Sequence, residues 1–218
     1  MRKILKAIDN FFFGHMQDHY ARVLEKEVAE YKSLLDVGCG AYSPVKRFSK
    51  KMKYVIGVDI FEPSIEKSRA AGIHHDYVKA DVLELDKHFD EGSFECVVAS
   101  DLIEHLTKED GNILIEMMEK IASKKVVIYT PNGFFPQRAF DNNEYQVHIS
   151  GWEIEEMKQK GFRIIGINGY KKLYGEFGKM RWKPEVFWGR IALMSQKCLE
   201  KKPKNAFGIM CVKDIEVK

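Results

Sequence analysis

The 218-residue chain has only four cysteines, Cys39, Cys96, Cys198 and Cys211, and none of them forms the close pair that zinc ligation or a redox motif needs. They read as reduced core or loop positions. Long apolar runs are missing as well. Nothing approaches the roughly 20 residues that cross a bilayer, and Asp9 and Asn10 interrupt the apolar residues behind Met1-Arg2-Lys3 before a signal-peptide core can form. A cytoplasmic protein is expected, one able to touch a membrane surface. An excess of one charge is also absent: 35 basic residues stand against 32 acidic ones, a net charge of +3 that is too mixed to argue for nucleic acid by charge alone. There is no internal repeat, low-complexity tract or interdomain linker.

Hydrophobic residues make up 45% and charged residues 31%, a globular balance, and the length suits one α/β domain over 1–218. Residues 1 to 32 read as a helical lead-in, with Tyr20, Val23, Leu24 and Val28 at helical spacing. From Ser33 on, strand-like runs follow at Leu34–Val37, Tyr54–Val58, Tyr77–Lys79, Phe94–Ala99 and Val126–Tyr129. Helical stretches between several of them predict a mainly parallel sheet covered on both faces. Phe162–Ile167 and Ala206–Val212 supply two more strands, seven in all. The segment 170–204 between these last two is far longer than a hairpin needs and reads as a cover-like insertion. It mixes Trp182, Phe187, Trp188 and Ile191 with Lys179, Arg181 and Lys183; at the other end Ile4, Leu5, Ile8, Phe11 and Phe12 share a helical face beside Arg2, Lys3 and Lys6. Both ends are expected to fold over a cleft and to select substrate.

The most informative stretch is Leu34-Leu35-Asp36-Val37-Gly38-Cys39-Gly40, a buried strand running into a turn where backbone can lie against a ligand. A dinucleotide fingerprint would place a third glycine at position 43, where Ser43 stands, and an apolar residue at Asp36, so a nicotinamide cofactor is disfavoured. Asp59 closes the second strand 23 positions after Asp36, where a carboxylate can accept both ribose hydroxyls of an adenosine ligand. A third acid, Asp81, follows the third strand, and the fourth ends in Ser100-Asp101-Leu102-Ile103-Glu104-His105.

The D-x-G-x-G loop resembles motif I of class I S-adenosylmethionine-dependent methyltransferases. The resemblance implies a Rossmann-like, mostly parallel seven-stranded sheet whose last strand is antiparallel. It also implies S-adenosylmethionine as cofactor: Asp36, Gly38, Cys39 and Gly40 at the methionine end, Asp59 and Ile60 at the ribose, Asp81 and the Val82 amide at the adenine edge, and the backbone at Ser100 holding the methionine amino group. Asp101-x-x-Glu104-His105 with His148 also resembles the E-x-x-E-H pattern that binds magnesium in ubiquinone-pathway and small-RNA 2′-O-methyltransferases. The first position here is Asp, with a shorter reach, and no metal ligand is assigned.

After the fifth strand comes Thr130-Pro131-Asn132-Gly133, then His148-Ile149-Ser150-Gly151-Trp152. Open α/β sheets bind ligands at this edge. His148, and second His105, are the candidate catalytic residues, because a histidine of near-neutral pKa can take the proton of an attacking hydroxyl. Trp152, with Ile154 and Met157, reads as packing for the next helix. The expected acceptor is a small molecule, a glycan or a lipid-linked sugar bearing a hydroxyl, with an RNA ribose assisted by a metal as the alternative. A non-catalytic S-adenosylmethionine-binding protein is the rival from another class.

Overall fold

The computed structural model describes residues 19–139, 143–175 and 178–216. The N-terminal apolar face expected at Ile4 to Phe12 lies outside the described residues. Seven strands form one sheet: β1 (Ser33–Val37), β2 (Tyr54–Asp59), β3 (Asp76–Lys79), β4 (Phe94–Ser100), β5 (Ala122–Pro131), β6 (Arg163–Tyr170) and β7 (Ala206–Asp214). Their order is β3-β2-β1-β4-β5-β7-β6. The first five run parallel, and β7 lies antiparallel between β5 and β6. The seven expected strands are all present.

β1 is buried on both sides, with Leu34 and Leu35 at 0% exposure, and it pairs with β2 through Leu35–Ile56 and with β4 through Leu35–Val97. The chain leaves β1 to one side for β2 and later returns on the other for β4. The carboxyl ends of β1 and β4 therefore part, which is where a doubly wound sheet opens a crevice.

On one face α1 (His19–Val28) inserts Leu24 and Val28 against Leu34, Val55, Val98 and Val127. The other face carries α3 (Lys108–Ile121) and α4 (Ile154–Gln159), which close over Leu35, Ile56, Val97 and Ile128. Another helix, α2 (Glu62–Ala70), links β2 to β3. Leu114, Ile115, Met118 and Ile121 give α3 its apolar stripe, and the Thr107 hydroxyl accepts from the Asp110 amide at 3.1 Å, an N-cap worth about 1 kcal/mol. Gly111 lets α3 approach Trp152, since a Cβ there would stand 2.3 Å from the indole. Trp152 is fully buried, so it packs the helices as its neighbours in sequence suggest.

Two strands differ most in extent from the apolar pattern. β5 begins at Ala122 because Lys125, 7% exposed, is paired with Asp214 at 3.2 Å and Glu27 at 3.8 Å. β6 runs on to Tyr170 through a register shift after Ile167, where Asn168 and Gly169 adopt φ of 65° and 79°. Within the expected insertion, α5 (Glu185–Leu199) lies along β6: Gly169 and Gly166 leave room for the carbonyls of Ala192 and Leu199.

Candidate active site

Beyond β1 the chain turns through Gly38 and Gly40, both at positive φ (65° and 54°). At Gly38 a Cβ would meet the Leu102 side chain at 2.7 Å; at Gly40 it would meet nothing within 4 Å, so this backbone borders open space. The turn is held by side chains from three elements. Asp59 accepts from the Gly40 amide through Oδ2 and from the Phe61 amide through Oδ1, both at 2.8 Å. Burial pushes the Asp59 carboxyl above its ordinary value, against the pull of those two amides. Asp36 is 1% exposed, and its Oδ2 accepts from the Ser43 hydroxyl at 2.5 Å and from His74 Nε2–H at 2.7 Å. Its Oδ1 has no partner among the described residues. The Cys39 side chain is buried, and its amide donates to the Val58 carbonyl at 2.9 Å.

Ser43 breaks the dinucleotide pattern and has a structural role of its own, because its hydroxyl ties Asp36 to the turn and accepts from the Val45 amide. His74 is a residue that sequence reading missed. Its signal is Gly57 inside β2, where a Cβ would stand 3.0 Å from His74 Nδ1 and 2.9 Å from the Cys39 sulfur.

After β2 and β3 come Ile60, partly exposed, and Asp81, an exposed residue whose Oδ1 accepts from the Leu83 amide at 2.9 Å, with buried Val82 beside it. Ser100 ends β4, and its hydroxyl accepts from Tyr20 at 2.5 Å. Asp101 follows at φ 49°, a conformation that non-glycine residues rarely hold, with its amide bonded to the Tyr129 carbonyl at 3.0 Å.

The turn after β4 is joined to the loop after β5 by backbone acceptors. The Glu104 carbonyl takes the amides of Ile149 and Ser150 at 2.9 and 3.0 Å; the Ile103 carbonyl takes the Ser150 hydroxyl and the Trp152 indole, both at 3.1 Å. This brings His148 to His105. Their rings meet edge to face with centroids 4.7 Å apart. His105 Nδ1–H donates to the Val147 carbonyl at 3.0 Å, and His148 Nδ1–H to the Phe135 carbonyl at 2.7 Å. A carbonyl only accepts, so each ring carries its proton on Nδ1 and keeps a lone pair on Nε2. Burial favours the neutral rings: it lowers His148, and it takes His105 down to about 4.

Glu104 lies beneath the pair at 2% exposure. Its Oε2 accepts from Thr130 at 2.9 Å, and Oε1 has no partner among the described residues. Burial, then the charge of Asp101, hold its carboxyl well above the usual range. Ligand atoms of Glu104, His105 and His148 lie within 4.8 Å of one another, a spacing that suits a metal ion; Asp101 falls outside that set.

The methyltransferase domain family matches residues 35–129, the span from β1 to β5 that builds the glycine turn and the acids behind it. That match supports a class I S-adenosylmethionine-dependent methyltransferase. Solved structures share its fold. An S-adenosylmethionine-dependent methyltransferase from Archaeoglobus fulgidus is 19% identical, with 96% of this chain and 99% of that one covered and a TM-score of 0.61. Magnesium protoporphyrin IX methyltransferase (ChlM) from Synechocystis PCC 6803, with bound S-adenosylmethionine, is 15% identical over 92% and 80%, with a TM-score of 0.52. The methyltransferase domain of bacterial CtHen1-C is 13% identical over 93% and 100%, with a TM-score of 0.60. No curated protein matches the sequence.

The methyltransferase cleft fits the cofactor, S-adenosylmethionine. Open space lies beside Gly40, and each Asp59 oxygen, bonded to one amide, keeps a lone pair for a ribose hydroxyl. Asp81 keeps Oδ2 clear of the Leu83 amide that Oδ1 accepts from.

Proposed function

We propose that this methyltransferase modifies a hydroxyl oxygen on a small-molecule, glycan or lipid-linked acceptor, with His148 as the base and His105 beside it. The observation that carries this reading is the pair of neutral imidazoles whose Nε2 lone pairs are left for an acceptor, at the edge where the loops after β4 and β5 meet. The cofactor, when bound, supplies a methyl group already labile on a sulfonium. The chain's own residues then have to align the acceptor, exclude water and take one proton at His148 Nε2. Phe207 stacks on Tyr174, with centroids 4.1 Å apart, and meets Phe135 edge to face at 4.7 Å, an aromatic cluster beside the loop that carries His148. Gly38, Gly40, Asp59, Ile60, Asp81, Val82 and Ser100 are proposed to border the cofactor, with Asp36 and Cys39 setting the turn.

A second reading is favoured by the spacing of Glu104, His105 and His148. The same lone pairs, with the unpartnered Oε1 of Glu104, would hold a divalent cation that lowers the pKa of a ribose or sugar hydroxyl. Transfer of a labelled methyl group across a panel of hydroxyl acceptors, with and without chelator, separates the two. Turnover that survives chelation and fails in His148→Ala supports the base. Turnover lost to chelator and restored by magnesium supports the cation, and no product from any acceptor favours a non-catalytic cofactor-binding protein.

A further inference from the structure

Methyl transfer makes no use of the outer side of α5. The helix is held to β6 by Ala192, Gln196 and Leu199, all buried, and by the Ser195 hydroxyl, which accepts from the Tyr170 amide at 3.1 Å. On the opposite side Val186, Phe187 and Met194 are 65, 52 and 62% exposed, one helical stripe of large apolar side chains facing water. Trp182, 43% exposed, extends it past the helix start and stands 5.1 Å from Trp188, which in turn meets Phe187 at 5.2 Å. The three rings form one aromatic cluster, with Val186 and Met194 on the same side of the helix.

Its charge is mostly of one sign. From Lys179 to Lys197 the sequence carries Lys179, Arg181, Lys183, Arg190 and Lys197 against Glu185 alone. A cavity of about 640 Å³ between α5 and α1 continues the pattern, with Arg22, Lys26, Lys197 and Lys201 on its rim. None of these four makes a hydrogen bond or ion pair among the described residues, whereas Glu27 and Glu200 in the same cavity are taken by Arg163 and His19 at 2.7 and 2.8 Å. Arg22, Lys26, Lys197 and Lys201, left over beside an apolar surface, call for an anionic, apolar counterpart.

We infer that this face docks the enzyme on an anionic lipid bilayer. Trp182, Val186 and Phe187 enter the boundary between headgroups and acyl chains, and the flanking lysines and arginines meet the phosphates. Indoles suit that boundary because one edge is apolar and the ring nitrogen donates. The attachment is peripheral: no helix among the described residues is long and apolar enough to cross a membrane. It holds whichever hydroxyl the enzyme methylates.

The test is flotation of the full chain with vesicles of phosphatidylglycerol and phosphatidylcholine, and with phosphatidylcholine alone. Binding is expected to the anionic vesicles, falling as salt rises, with a blue shift of tryptophan emission. The double variant Trp182→Ser, Phe187→Ser should lose partitioning at least about tenfold while keeping wild-type affinity for S-adenosylhomocysteine. Should that variant fail to fold, Lys197→Glu with Lys201→Glu serves instead, and each reversed lysine should weaken anionic binding about fivefold or more. Wild-type protein that stays with neither vesicle overturns the inference. So does binding that ignores both variants, or a wild-type dimer that the double variant turns into a monomer, which would give the face to a second copy of the chain.

Discussion

Replacing Asp59 with alanine should weaken S-adenosylhomocysteine binding by about 1.5–3 kcal/mol, the scale of hydrogen bonds made to a charged group. That is about 10- to 150-fold in Kd. In the free protein Asp59 holds the Gly40 and Phe61 amides at 2.8 Å, so the substitution removes the ribose acceptor and loosens the turn that carries the cleft. Asp59→Asn separates the two effects. Its one carbonyl oxygen can still accept from one amide, but its NH₂ group opposes the other, and the loss should fall between wild type and alanine. Isothermal calorimetry with S-adenosylhomocysteine reads both, with thermal melting as the check on folding. Burial raises the Asp59 pKa, and the carboxylate is the form that accepts. Affinity should therefore be complete above the raised value and be lost as pH falls through it, at higher pH than an ordinary aspartate would allow, and this dependence should vanish in Asp59→Ala. Wild-type affinity in a folded alanine variant would refute the reasoning.

His148→Ala should lower turnover by about 10²–10⁴-fold with cofactor affinity nearly unchanged. Because both imidazoles have pKa values below 6.5 and act unprotonated, kcat/KM should be flat above that pH and fall on the acid side; a profile that keeps rising to pH 8 would exclude them as bases. If Glu104, His105 and His148 hold a cation, magnesium should raise the melting temperature of wild type and leave Glu104→Ala unmoved. Gly111→Ala drives a methyl group into the Trp152 ring, 2.3 Å away, and should cost about 1–3 kcal/mol in urea unfolding.

The strands that build the cleft were legible because Leu34, Leu35, Val55, Ile56, Val97 and Val98 are apolar on both faces, as the interior of a parallel sheet requires. The early start of β5 was hidden by Lys124 and Lys125, since a lysine paired with Asp214 and Glu27 looks in sequence like a solvated one. The glycine turn and the acids after β2 and β3 announced themselves through residue type. The meeting of His105 with His148, 43 positions apart, did not, because the Glu104 and Ile103 carbonyls join the two loops and every residue has a carbonyl. His74 stayed unseen for a related reason: its partner Asp36 is explained well enough by the cofactor loop alone.

A crystal structure with S-adenosylhomocysteine tests the central claim most directly. The adenosine should lie between Asp59 and Asp81, with Gly40 against the ligand and the sulfur facing the space that His105 and His148 border. Adenosine bound elsewhere, or a sulfur turned away from the two imidazoles, would contradict the account.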